Sequence, residues 1–254
     1  MDRQSYLSIT WPETWQRCPE HVHAITTLKN GGFSTGEFST FNLAGHVGDD
    51  VSSVKNNRAK LRTDCQLPSE PIWLEQVHGN KVINADAQRV KNTGLIQADA
   101  SFTQTKGVVC AVLTADCLPV FFCNKAATEV AVAHAGWRGL HAGIISQTVQ
   151  AMSSPAAEIL VSLGPAIGPR AFEVGGDVFR AFVDANRQNV SAFVATTRGH
   201  YLCDIYQLAR NELRSLGIDN IAGGDYCTFR DEQLFYSFRR QKNTGRMSNL
   251  IWIE

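Results

Sequence analysis

Three side chains of metal-binding type lie in three short segments marked by glycine or proline. They are His78 in Gln76-Val77-His78-Gly79-Asn80, Cys117 in Thr114-Ala115-Asp116-Cys117-Leu118-Pro119, and His134 in Ala133-His134-Ala135-Gly136-Trp137. Two imidazoles and one thiolate make a good zinc set. Three protein ligands leave the fourth tetrahedral position to water or substrate, which separates a catalytic zinc from a structural one. The spacings of 39 and 17 residues fit no short zinc-finger pattern, so the fold must assemble the set. Taken singly, Cys117 also reads as an ordinary buried thiol and His134 as a satisfied core histidine. Together with His78 they point to a metal.

The elements that must position these residues follow from apolar periodicity. Compact apolar runs at 108–113, 119–123, 129–133, 159–163 and 250–253 read as buried strands. Cys117 and His134 then fall where a strand gives way to an irregular segment, a rigid place for a site residue. Val51, Val54, Leu61 and Cys65 recur at helical spacing behind a capping Asp49 or Asp50. Leu140, Ile144, Ile145, Val149 and Met152 form a second helical stripe. Ile205, Leu208, Ala209, Leu213 and Leu216 form a third, capped by Asp204 and stopped by Gly217. A shorter helix is expected at 178–183. Buried strands interleaved with helices indicate an α/β or α+β layered fold. No linker, charge block or repeat divides the chain, so one domain over residues 1–254 is expected.

Composition narrows the partners. The 254 residues are 44% hydrophobic and 19% charged, enough apolar material for a sizeable core. Lys+Arg and Asp+Glu are equal at 24 each, so nothing favours nucleic-acid binding, which needs concentrated basic charge. The apolar stretch 108–123 is broken by Thr114, Asp116 and Pro119, and no membrane span is expected. The first residues carry charge without an apolar core, and the seven cysteines are odd in number and lack a CxxC pair. Reduced thiols in the cytoplasm are the expectation. Apart from Cys117 they read as small core residues.

Arg58 is a less obvious candidate. It lies on the apolar stripe with Val54 and Leu61, where a guanidinium must be paired. A structural salt bridge, a snorkelling side chain and an anion site all satisfy that requirement. His46, in a polar glycine-framed loop, is the best of the remaining histidines. The segments 164–169, 172–175, 235–240 and 244–246 read as pocket walls, with rigid glycine and proline loops and aromatics suited to a flat ring. The glycine-rich stretch 30–36 reads as a loop.

These motifs together resemble the bacterial laccase-domain family, also described as polyphenol oxidase-type and associated with purine nucleoside phosphorylase activity. The matching segments are Asn42-Leu43 with Gly48-Asp49-Asp50, Trp73 to Gly79, Ala98-Asp99-Ala100, Thr114 to Pro119, Ala133 to Gly139, Gly164 to Pro169, and the tail from Phe235 to Arg246. The resemblance implies a layered α/β sandwich with mixed sheets and a cysteine-hydrolase-like fold. It also implies a metal held by His78, Cys117 and His134, which double as the catalytic residues. Asn42, Arg58 and Asp116 are the candidates toward substrate, Arg58 for its place on the helical stripe and Asp116 for its place beside Cys117.

The implied activity is zinc-dependent phosphorolysis of adenosine, inosine, guanosine and methylthioadenosine, with adenosine deamination. Purine nucleosides and phosphate are the implied partners. Two alternatives remain open: a cysteine hydrolase with Cys117 as nucleophile and His134 as base, or a copper-dependent polyphenol oxidoreductase. A multicopper laccase needs about ten histidines in paired motifs. This chain has seven histidines and one HxH, His21-Val22-His23, so only incidental copper binding suits it.

Overall fold

The computed structural model describes residues 5–12, 21–89, 96–197 and 199–254. Two mixed-length sheets stack face to face. The first has the order Tyr6–Ser8, Val22–Thr27, Met247–Ile253, Val109–Thr114 and is antiparallel throughout. The second has the order Ile221–Gly223, Ile159–Leu163, Leu118–Asn124, Val130–Ala135, Ala100–Thr103, Val82–Asn84. Its two outermost pairs are parallel and its inner pairs antiparallel. The five apolar runs expected as strands are all strands.

Side-chain alternation sorts the apolar residues into layers. In the strand Val109–Thr114, Val109, Ala111 and Leu113 face outward onto Phe41, Leu43 and Leu61. Cys110 and Val112 face inward, against Phe121, Cys123, Val130 and Val132 of the second sheet. The opposite residues of the second sheet, Val120, Phe122, Ala131 and Ala133, meet Ile144, Ile145, Leu208 and Leu213. The result is helix, sheet, sheet, helix. Both central sheets are covered on both faces, which is why their strands read as continuous apolar runs. Truncating a fully buried ring such as Phe121 would cost about 3–5 kcal/mol.

The helices follow their caps. Val51–Asp64 begins at Asp50, whose carboxylate accepts from the Ser53 N–H. Val51 itself is 70% exposed, so the stripe starts at Val54. Ile205–Ser215 begins at Asp204, which accepts from the Gln207 N–H, and Gly217 follows its end with φ of 82°. The short helix expected at 178–183 extends over Gly176–Ala185. The second stripe is not one helix. It divides into Trp137–His141 and Ile144–Ala151 around Gly143, whose φ of 83° breaks the ladder. Both halves still bury their apolar face, so periodicity alone could not reveal the break.

A smaller three-stranded sheet, Glu173–Gly175, His200–Cys203 and Phe193–Ala195, escapes the periodicity because its strands are short and half-buried. The 30–36 stretch is a loop, pinned where the Phe33 N–H donates to Asn57 Oδ1. No helix among the described residues is long and apolar enough to cross a membrane.

Candidate metal centre

The site forms where the chain changes sheet. Val109–Thr114 belongs to the first sheet and Leu118–Asn124 to the second, so residues 115–117 turn the corner between them. Asp116 makes that turn with φ of 90°, and Cys117 projects from it, half-buried. The adjacent strand, Val130–Ala135, runs two residues farther than the apolar pattern predicts and carries His134 within it, 3% exposed. His78 sits on an irregular segment after the short strand Leu74–Glu75, with φ of 60°, and is exposed.

One carboxylate holds both histidines. Asp99 Oδ1 accepts from His134 Nδ1 at 2.8 Å and from the His78 N–H at 2.9 Å. Its Oδ2 accepts from the N–H groups of Val77 and Gly79 at 3.2 and 2.8 Å. An ionised carboxylate only accepts, so His134 must carry its proton on Nδ1. That leaves Nε2 for a ligand. Asp99 is fully buried. In the sequence it is marked by the matching segment Ala98-Asp99-Ala100 alone, which assigns it no role.

The ligand atoms of His78, Cys117 and His134 lie within 4.8 Å of one another, with Cys117 Sγ 3.9 Å from His78 Nε2. Gly136 keeps the space between them open: a Cβ there would lie 2.8 Å from Cys117 Sγ and 3.2 Å from His78 Cδ2. Burial by itself would hold Cys117 protonated, but the imidazoles of His134 and His78 bring its thiol down to about 6. Burial would also discharge His134, yet the Cys117 thiolate and the Asp99 carboxylate push it up to about 9. Asp99 likewise resists its own burial: bonded to His134 and the Gly79 and Val77 N–H groups, it stays below the usual carboxylate range. A thiolate facing two imidazoles, one oriented by a carboxylate, fits a borderline-soft divalent cation in donor type and in second-layer support.

Two clefts meet at this set, sharing His78, Ala115, Cys117 and Phe238. The polar cleft, about 620 Å³ with its mouth, adds His46, Gln76, His134 and Arg246. The aromatic cleft, about 710 Å³ with its mouth, adds Trp137, Ile167, Phe172 and Lys242. Both fall in the size range of small-molecule sites. The pocket walls read from sequence thus supply Ile167, Phe172, Phe238 and Arg246.

The three residues expected toward substrate lie around the clefts rather than together in one of them. Asn42 is fully buried: its amide N–H₂ donates to Ala44 O and Asp49, and its Oδ1 accepts from the N–H groups of Ala44 and Arg246. Arg58 donates from Nε and Nη2 to Leu43 O and stacks 4.1 Å over the Trp73 ring. It stands behind His46, where burial, Arg246 and Arg58 together keep the imidazole below its ordinary pKa. Asp116 lines the aromatic cleft, but its carboxylate already accepts from Thr228 Oγ1, Ser237 Oγ and the Arg239 N–H. Arg246 is the guanidinium that reaches the polar cleft, and no carboxylate lies within salt-bridge distance of it among the described residues.

A family model described as multi-copper polyphenol oxidoreductase laccase matches residues 23–254. The chain belongs to this laccase family. Laccase-family relatives include the Escherichia coli K12 protein named purine nucleoside phosphorylase YfiH, 47% identical over 243 residues and 96% of each chain. The Pseudomonas aeruginosa purine nucleoside phosphorylase PA4543 is 46% identical over 98% of this chain and 99% of its own. Among solved structures, Neisseria meningitidis protein NMB0706 superposes with a TM-score of 0.92 at 42% identity, covering 98% of this chain and 99% of that one. The Bacillus licheniformis hypothetical protein YfiH gives a TM-score of 0.89 at 30% identity, over 100% and 98% of the two chains.

The laccase family's multi-copper description finds few ligands here. Among the described residues, His78, Cys117 and His134 form the one group able to hold a metal ion. The other histidines are dispersed. His23 pairs with Glu254, and His141 packs on Phe182. Cys65, Cys110, Cys123, Cys203 and Cys227 are buried as core residues, and Cys18 lies outside the described residues.

Proposed function

We propose that this chain is a single-domain, cytoplasmic, zinc-dependent purine nucleoside phosphorylase acting on adenosine, inosine, guanosine and methylthioadenosine, with adenosine deaminase activity. The observation that carries the reading is a three-ligand metal set at the junction of a polar cleft and an aromatic cleft. Phosphorylase-named relatives at 46–47% identity support it. Zinc bound by His78, Cys117 and His134 would supply Lewis acidity to a ligand atom at the junction.

Arg246 holds phosphate in the polar cleft, where its Nη1 is tied to the Thr244 and Gly245 carbonyls and the rest of the guanidinium, without a carboxylate partner among the described residues, is left to donate. Burial, Arg246 and Arg58 together hold the His46 imidazole below its ordinary pKa, and Arg58 adds positive field to that side of the cleft. Asn42 fixes Arg246 by accepting its N–H, so Asn42 acts on phosphate through Arg246. Asp116 fixes the opposite wall through Ser237 and Arg239. Trp137, Phe172 and Phe238 receive the purine by stacking. Phosphate and nucleoside then meet beside Cys117, so the sugar carbon that changes partner lies between the two clefts. Their fixed orientation supplies the entropy part of catalysis.

A second reading draws on one observation: Cys117 is a thiolate beside an imidazole that Asp99 orients, the arrangement of a cysteine hydrolase. The two readings compete for the same sulfur, and metal stoichiometry separates them. The experiment for the phosphorylase reading follows inosine cleavage against phosphate concentration. Arg246→Ala should raise the KM for phosphate about ten-fold or more with zinc retained, and Arg58→Ala by less. Cleavage that needs no phosphate in the wild type would sink the reading.

A further inference from the structure

The two clefts differ in charge as well as in shape. Three cations stand over the rings of the aromatic cleft. Arg138 lies 4.4 Å from the Trp137 ring centroid, Lys242 4.3 Å from Phe238, and Arg239 5.6 Å from Phe172. Among the described residues, none of them has a carboxylate within 4.0 Å. Arg239 uses its fork on the Ala171 and Glu173 carbonyls, whereas Arg138 and Lys242 line the cleft and are exposed.

One acid lines this cleft, Asp116, and its carboxylate is turned to Thr228 Oγ1, Ser237 Oγ and the Arg239 N–H rather than to the three side-chain cations. In a chain with 24 acidic and 24 basic residues, three cations around one cleft are a local concentration of basic charge, not a consequence of composition. Cations gathered at the mouth of a cleft attract an incoming anionic group. The chemistry that matches is a flat ring carrying an anionic group. The ring stacks on the aromatic faces, and a phosphate monoester takes charge-assisted bonds from guanidinium and ammonium.

We propose that the aromatic cleft is a binding site for purine nucleoside 5′-monophosphates, with the base on Trp137, Phe172 and Phe238 and the phosphate on Arg138 and Lys242. The base half rests on the nucleoside reading above; the charge half rests on the cations alone. A bound monophosphate occupies the nucleoside's place beside His78 and Cys117 and competes with it. Inorganic phosphate, held by Arg246 in the other cleft, does not.

The test is calorimetric titration of the metal-loaded protein with adenosine, adenosine 5′-monophosphate and ribose 5-phosphate. At about 50 mM salt the monophosphate should bind about ten-fold more tightly than adenosine, and the gap should close near 500 mM. It should also close in an Arg138→Ala/Lys242→Ala double variant, whose exposed positions leave the core untouched. Equal affinities for adenosine and its monophosphate in the wild type would overturn the proposal. So would a gap that survives in the double variant but vanishes in Arg246→Ala, which would place the phosphate in the polar cleft. Ribose 5-phosphate separates the two halves. Its binding through Arg138 and Lys242, with no binding of adenosine, would support the anion site and overturn the nucleoside reading.

Discussion

The two halves of the site are built in different ways. Cys117, His134 and Asp99 stand on or beside strands of the central sheets, where the ladder fixes each backbone position. His46, Phe238, Lys242 and Arg246 stand on irregular chain, pinned by side chains that bond backbone groups. Asn42 accepts the Arg246 N–H, Asp116 accepts the Arg239 N–H, and Arg240 donates to the carbonyls of Thr228, Phe229 and Phe235. His78 bridges the two kinds: its segment is irregular, but its N–H is tied to the strand-borne Asp99. The contrast teaches that metal affinity and substrate affinity should be separable by substitution. Damage to the strand-built half should move the metal, and damage to the pins should move the ligands.

The largest effect should come from Cys117→Ala. Metal content should drop from about one zinc per chain to a trace, because two imidazoles alone make a poor site. Elemental analysis of the purified variant reads this directly. Full occupancy would remove the thiol from the ligand set.

Asp99→Asn comes next. The amide cannot accept all four hydrogen bonds that the carboxylate now takes, so both histidines lose their orientation together. Zinc affinity should fall about 10- to 100-fold, measured by competition with a chromogenic chelator. An unchanged Kd would show that the ligand set needs no support from Asp99.

Asn42→Ala probes the other half. It leaves the Ala44 and Arg246 N–H groups without their acceptor, at a cost of about 1–3 kcal/mol in stability. The zinc Kd should stay within about two-fold of wild type while the KM for phosphate rises severalfold. A parallel loss of zinc would erase the distinction between the halves.

The remaining effect is a slope rather than a loss. Held protonated up to about 9 by Cys117 and Asp99, His134 must release a proton when a metal takes its Nε2. Cys117 is already a thiolate above about 6. Zinc affinity should therefore rise about ten-fold per pH unit between those values, with about one proton released, and more steeply below them as the thiol also deprotonates. Calorimetry in buffers of different ionisation enthalpy counts the protons. No proton release near neutral pH would show that the thiolate–imidazolium pair does not form.

What the sequence disclosed follows the same division. Cys117 and His134 were legible as candidates because buried strands advertise themselves as apolar runs, and a histidine or cysteine at the end of such a run stands out; His78 was marked instead by its polar, glycine-flanked segment. The cap at Asp204 was legible for a comparable reason, being local, and so was the first cap to within Asp49 or Asp50, of which the structure uses Asp50. The break at Gly143 was not, since both halves keep the same apolar face. Nor was the role of Asp99, whose partners at 77–79 and 134 are distant in sequence. Arg58 stands out in the sequence because it sits on a helical stripe, where an odd residue is visible. Arg246 comes from irregular chain with no period to violate, and only the packing shows which guanidinium reaches the cleft.

The most direct measurement strips the metal with a chelator, restores zinc alone, and follows inosine with and without phosphate on that one sample. The account predicts no turnover in the stripped protein. Zinc should restore turnover, yielding hypoxanthine and ribose 1-phosphate only when phosphate is present. Full phosphate-dependent cleavage by protein with no detectable metal would contradict it.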